Sequence, residues 1–312
     1  MVRSPLRSAI WVALVATPGC NAIFGIHEGT PLPEDPAVDP ETVVVPAAGD
    51  TFHFDLDGLS ATATLTHAFA IDRHEVTVGR FRAWVESGRD LPCDGAACSL
   101  DPGGPYELVM TWDPGWNDSA VDVDPFSPLG GCTCPVPYSP TSYNRGDPEL
   151  PMTCVSWHHA AAFCASEGKR LPTEVEWQYV ATGHGDGRIY PFTWSGEPFT
   201  CDLVTYLGTG DGCGFPVPGG SAPGDVSRDG LVDLGGSVFE WVWDVSAPFV
   251  DDTTDYAGPA PSGDPAQPRV RRGGAFISPA DDWRLRTDSR EAYGAVSYYS
   301  DAGFRCAKTI LP

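Results

Sequence analysis

Positive charge is scarce in this chain. Lys and Arg number 19 against 42 Asp and Glu, a formal net charge of -23 over 312 residues. A surface of that sign repels phosphate backbones, which excludes nucleic acid as a partner and makes divalent cations the more natural ones. Long apolar runs are scarce too, and the run from Ala9 to Ala16 is too short to span a bilayer. Sustained periodicity is rare because Gly (35) and Pro (31) interrupt both helices and strands, so little regular secondary structure is expected. The seven histidines show no spacing of two histidines and a carboxylate, as an iron site would need. His158 and His159 on a helix would point about 100° apart and cannot easily chelate one ion. Cys132-Thr-Cys134 has no Cys-x-x-Cys partner, and the acids Asp113, Asp118, Asp122 and Asp124 miss the EF-hand spacing.

What is present describes a globular, exported protein. A hydrophobic content of 42% is enough for a substantial core. Arg3 and Arg7 precede the apolar run, and Thr17-Pro18-Gly19 lead to Cys20, which reads as a secretion signal over residues 1–20. Small residues before a cysteine at that distance resemble a bacterial lipobox, with Cys20 as the lipidated residue; the expected location is the envelope, at the outer membrane, held only by the lipid anchor. Residues 21–48, rich in proline and acid, read as a tether, and 49–312 as the domain. Nine further cysteines in an exported chain point to disulfides, with Cys201 and Cys213 spaced to brace one loop.

Local signals recur along the domain. Alternation in TFHFDLDGLSATATLT predicts two strands with a turn at Asp57-Gly58. Thr77 can cap a helix carrying Phe81, Trp84 and Val85, stopped by Gly88. Residues 89–150 show no period and read as a disulfide-braced insertion. Ser156 can cap a helix ended by Gly168, and Thr173 with Glu176 forms a T-x-x-E capping box for the next. In DGLVDLGGSVFEWVWD, Asp233 and Glu240 flank a glycine turn that would leave carbonyls free; a hard calcium ion takes such oxygens, although Asp233 could equally cap the turn. Arg284, Arg286 and Arg290 alternate as on one face of an extended segment, with structural ion pairing the favoured role. Trp112, Trp116, Tyr298 and Tyr299 could line a groove, but the core is the favoured place for them.

The segments IDRHEVTVGRFRAWV, PMTCVSWHHAAAFCASEGKRLPTEVEWQYVATG, GLVDLGGSVFEWVWD, RVRRGGAFI and DAGFRCAK together resemble the formylglycine-generating enzyme, or sulfatase-modifying factor, family. The resemblance implies an α+β, loop-rich domain related to C-type lectins, and a disulfide between Cys164 and Cys306. It implies a calcium site at Asp233, Gly236, Val238 and Glu240. For the active members it implies oxidation of a sulfatase cysteine by oxygen and copper(I) held on two thiolates. Soft thiolates are what copper(I) needs, yet the matching positions here are Ser278 and Asp282. Ala275 and Phe239 stand where the family carries an active-site serine and tryptophan. These replacements argue against copper and against the family's reaction. The expectation is a calcium-stabilised module for a peptide, glycan or protein ligand; the alternative is an oxidoreductase of the family, formylglycine-generating or iron-dependent, with an altered site.

Overall fold

Alternation decides the first hairpin: Phe52 and Phe54 turn into the core while Thr51, His53 and Asp55 face solvent, as expected for a strand with one wet face. The computed structural model describes residues 41–56, 59–121, 147–186, 200–206, 214–279 and 283–311. Cys20, Cys132, Cys134, Cys213, Asp282, the signal segment and the Asp57-Gly58 turn lie outside the described residues.

The strands in chain order are β1 (Thr42–Val45), β2 (Asp50–Leu56), β3 (Leu59–Leu65), β4 (Ala68–Asp72), β5 (Cys98–Ser99), β6 (Thr111–Trp112), β7 (Phe239–Val245), β8 (Thr253–Thr254), β9 (Pro268–Arg272), β10 (Arg290–Gly294), β11 (Ala302–Gly303) and β12 (Ala307–Ile310). The helices are α1 (Val78–Ser87), α2 (Asn117–Val121), α3 (Trp157–Ser166) and α4 (Glu174–Ala181). Among the described residues the sheets run β1-β4-β12, β10-β9-β7-β11, β2-β3-β8 and β5-β6. Antiparallel pairs dominate, with Val44 opposite Ala70 and Glu240 opposite Arg272; β7–β11 and β3–β8 are parallel. The architecture is α+β and loop-rich, and Asp39–Pro312 forms one compact unit.

That boundary corrects the expected tether. Thr42–Val45 is a strand on β4, and Val45 is fully buried. Three successive β-branched valines favour extended pairing, a signal hidden in the sequence by the prolines and acids on either side. The expected loop at 89–150 also needs correcting, because it contains β5, β6, α2 and two short 3-10 turns. Trp112 and Trp116 anchor it in the core, edge-to-face at 5.5 Å, and Trp116 meets Trp157 of α3 at 5.3 Å. Tyr298 and Tyr299 are half-buried.

Short-range capping sets the helix starts. Thr77 Oγ1 accepts from the Arg80 N–H at 3.3 Å, and Gly88 adopts φ 117° to close α1. Ser156 Oγ accepts from the His159 N–H at 3.2 Å. At α4, Glu176 N–H donates to Thr173 Oγ1 at 3.0 Å and Thr173 N–H donates to Glu176 Oε2 at 2.9 Å, completing the capping box.

Every residue of α4 is buried, so its polar side chains need internal partners. Arg290 donates to both oxygens of Glu174, at 2.7 and 3.0 Å, and Arg272 donates to Gln178 Oε1. Arg170 forms a two-pronged pair with Glu176 at 2.7 Å on each prong, and His67 Nε2 lies 3.0 Å from Glu176 Oε1. Burial pushes Glu176 up, but the Arg170 charge and the bonds from His67 and Arg170 outweigh it and bring its pKa down to about 2.

The three arginines read as one extended face are separate features. Arg284 lies in a 3-10 turn, Arg286 pairs locally with Asp288, and only Arg290 sits on a strand. The 3-10 turn Trp283–Leu285 and the turn closed by Ser289 N–H donating to Arg286 O at 3.0 Å break the extended run. Their pairing with acids is as expected. Cys164 and Cys306 are joined across 142 positions, and Cys93 bonds Cys98. Cys154 and Cys201 are in disulfides too, so every cysteine among the described residues is oxidised.

Candidate functional site

Two glycine pairs approach each other beside β7. A Cβ on Gly274 would lie 2.8 Å from the Gly235 carbonyl oxygen, and one on Gly236 would meet Thr205 O at 2.5 Å. Only glycine lets these backbones come so close. The approach is stitched by Phe276 N–H donating to Ser237 O at 2.7 Å and Ser237 N–H donating to Thr205 O at 3.1 Å.

The turn that carries Asp233 is built from its own acids. Asp225 accepts from the Gly235 N–H at 2.9 Å, and Asp233, at φ 62°, accepts from the Gly220 N–H at 2.5 Å. Gly236 and Val238 follow in the same buried turn. Glu240, on β7, accepts from Arg305 Nε at 2.7 Å and Nη2 at 2.6 Å, and from the Trp177 indole N–H at 3.0 Å. Arg305 completes its set with the carbonyls of Asp72, Arg73 and Val232, so all its N–H groups are used. It is wholly buried and held above the usual arginine range by Glu240, although burial alone would lower it.

Charge around Arg305 does not balance. Glu75, Asp225, Asp233 and Glu240 are all buried, and Arg305 is the cation that the first three share. Burial first, and then the charge on Asp233, pushes Asp225 up to about 8. Burial pushes Asp233 up to about 6, with Gly220 and Arg305 pulling the other way. Glu75 stands well above the usual carboxylate range for the same reasons as Asp225, and its Oε1 has no hydrogen-bond partner. Hard oxygens of this kind are the donors that calcium takes, although no three of these four carboxylates have oxygens gathered within 4.8 Å of one another. Three of the four lone-pair positions on Glu240 are already taken, so it can supply at most one bond. Among the described residues, the one group of three potential ligand atoms packed together is Asp72, Glu167 and Cys306. It is no metal site, because Cys306 is in a disulfide and Arg80 and Lys169 occupy both acids.

The segment after Gly273-Gly274 contains no cysteine through residue 290. Ser278 is buried and closes a turn: its Oγ accepts from the Ala275 N–H at 3.3 Å, and its N–H donates to Ala275 O at 2.8 Å. Ala275 and Phe239 are core residues of one apolar cluster. Arg271 lies over Phe239 at 4.0 Å and Tyr293 at 4.1 Å, and its guanidinium pairs with Glu291 at 2.6 Å and Asp301 at 3.4 Å. These contacts neutralise the cation and pack it against aromatic faces.

Thus the structure brings Asp233, Gly236, Val238 and Glu240 into one buried turn-and-strand unit, with Ser278, Ala275 and Phe239 close by through Phe276–Ser237. Sequence reasoning missed Glu75, Asp225, Trp177, Arg271 and Arg305. Arg305 had a signal, since it stands inside the GFRC segment already singled out; Glu75 stands inside the IDRHEVTV segment of the resemblance, with no period to mark it.

A domain of this order, with paired glycine turns against an arginine-locked W/F-E-W strand, defines the sulfatase-modifying factor class. The chain belongs to that family: the sulfatase-modifying factor enzyme 1-like domain matches residues 30–310. It is similar to the formylglycine-generating enzyme of Bos taurus, 29% identical over 94% of this chain and 79% of the relative. The Streptomyces coelicolor formylglycine-generating enzyme is 30% identical over 84% of this chain and 85% of its own. Inactive C-alpha-formylglycine-generating enzyme 2 of Mus musculus is 33% identical over 55% of this chain and 54% of its own. The fold is shared with PvdO from Pseudomonas aeruginosa, at a TM-score of 0.57 and 22% identity, covering 86% of this chain and 94% of that one.

Proposed function

We propose that this chain is a family member that does not generate formylglycine and acts as a binding module for a peptide, glycan or protein. The observation that carries the reading is Ser278: the position matched to a copper thiolate is a buried hydroxyl that closes its own turn with Ala275. A hydroxyl is a hard donor and cannot replace a soft thiolate for copper(I). Calcium at Asp233, Gly236, Val238 and Glu240 would stabilise the module, and the unbalanced acids around Arg305 support it. Export and lipid attachment at Cys20 complete the proposal, resting on the N-terminal pattern alone.

A second reading, an oxidoreductase with an altered site, draws support from the similarity to the Streptomyces coelicolor enzyme over most of both chains. One assay separates them. A sulfatase-derived cysteine peptide incubated with the purified chain, copper and oxygen should yield no aldehyde, and metal analysis should return calcium without iron or copper. Aldehyde formation would overturn the binding reading.

A further inference from the structure

The Cys164–Cys306 and Cys93–Cys98 disulfides differ in setting. Cys164 and Cys306 are wholly buried and join residues 142 positions apart, whereas Cys93 is exposed, Cys98 is half-buried, and a separation of 5 divides them. A crosslink restrains the unfolded chain more as the loop it closes lengthens, so the short one adds little as a staple. Its backbone is also awkward. Cys93 (φ 50°, ψ 39°), Asp94 (φ 54°, ψ 32°) and Gly95 (φ 79°) follow one another in the left-handed region, which glycine enters freely and cysteine does not. Disulfides that are exposed and held by a disfavoured backbone are the reducible ones.

The turn closed by this crosslink holds a tryptophan of the core. Gly95 O accepts from Asn117 Nδ2 at 2.8 Å, and Asn117 Oδ1 accepts from the Trp112 indole N–H at 2.8 Å. The fit is close, since a Cβ on Gly95 would lie 2.7 Å from Asn117 Nδ2. Cys98 itself stands opposite Trp112 in the β5–β6 pair. Trp112 and Trp116, with Leu108, Pro114 and Pro261, line a cavity of about 360 Å³. One crosslink therefore secures Trp112 twice: through the Gly95 carbonyl and Asn117, and through Cys98 across the strand pair.

We propose that Cys93–Cys98 is a thiol–disulfide exchange site, a latch that a dithiol opens while Cys164–Cys306 stays closed. A thiolate of the dithiol attacks the exposed Cys93 Sγ, forming a mixed disulfide and expelling Cys98 as a thiolate that takes up a proton. The second thiol of the reagent, as its thiolate, then displaces Cys93, which is protonated in turn. The protein gains two electrons and two protons, and the dithiol becomes its cyclic disulfide. Once released, Cys93 and Asp94 leave the left-handed region, Gly95 O withdraws from Asn117, and Trp112 loses the bonds that order the cavity wall. None of the residues around Arg305 or Ser278 takes part, so the latch stands apart from the binding reading.

The test treats the full, folded chain with graded dithiothreitol, traps free thiols with an alkylating reagent and maps the labels by peptide mass spectrometry. Cys93 and Cys98 should be labelled at least ~10-fold faster than Cys164 and Cys306. Hydrogen exchange in the same samples should quicken ~5-fold or more across residues 96–121 and stay unchanged in α4. The double variant Cys93→Ser with Cys98→Ser should show the same quickening without any reductant. If that variant does not fold, judged by its circular dichroism, Asn117→Ala carries the test: exchange around Trp112 should quicken with the crosslink intact, and reduction should add little more. Labelling of Cys164 and Cys306 together with or ahead of Cys93 and Cys98 would overturn the proposal, as would reduction that leaves exchange across 96–121 unchanged.

Discussion

The molecule contains two buried arginine–glutamate forks, and their surroundings differ. Arg170 grips Glu176, and His67 and Asp101 add a second cation and a second acid, with Asp255 beyond His67. Glu176 is driven down to about 2 and His67 up to about 9, so opposite charges stabilise each other. Arg305 grips Glu240 with similar geometry, yet Glu75, Asp225 and Asp233 crowd around it and are pushed upward. A balanced fork is a finished piece of frame. An acid-rich fork is where the proposed calcium would add the missing charge.

Removing either guanidinium gives the largest contrast. Arg170→Met and Arg305→Met should each lose about 3–5 kcal/mol, because each leaves a buried carboxylate without its partner. Calcium should recover part of the loss in Arg305→Met and none in Arg170→Met, measured by urea unfolding with calcium or chelator present. Equal recovery in both would erase the distinction between the forks.

A smaller effect separates them by pH. Burial lowers the pKa of His67, but its bonds to Asp255 and Glu176 raise it to about 9. A raised histidine gives stability that is fully present below its unfolded value of about 6.5 and is lost as pH rises through about 9. Unfolding midpoints should therefore fall between those limits, with or without calcium, and His67→Gln should flatten that fall. A fall that calcium abolishes would move its origin to the Arg305 fork.

The smallest changes compare two hydroxyls. Thr173→Ala should cost about 1 kcal/mol through the lost cap. Ser278→Ala should cost about 0.5–1 kcal/mol, as befits one weak bond inside a turn. A much larger loss at Ser278, read by the same unfolding curves, would mean that it holds more than Ala275.

Legibility followed distance along the chain. Thr77, Ser156 and the Thr173–Glu176 box were readable because each acts on a residue three positions on. The β2–β3 hairpin was readable from its period. β1 was hidden by its proline-rich flanks, and the Trp112–Trp116 core by the lack of any period around it. The Arg305 fork was beyond reach, since Arg305 meets Glu240 across 65 positions; Arg170 and Glu176 are only 6 apart, but the His67 that completes their charge balance lies 109 positions from Glu176. A resemblance supplied part of that long-range information by marking Glu240 and the Asp233 turn. It did not supply Glu75 or Asp225, which acquire their character only when folding removes water from acids that are far apart in sequence.

The position of β1 has a mechanical consequence. β1 and β12 flank β4 on opposite sides, so the first and last described strands hang from one central strand. The Cys164–Cys306 crosslink sits just ahead of β12 and ties the chain there to α3, whereas β1 is held by its four paired positions on β4 and by the burial of Val45. A pull on the chain ahead of residue 42 should therefore strip β1 from β4 before it reaches the crosslinked body.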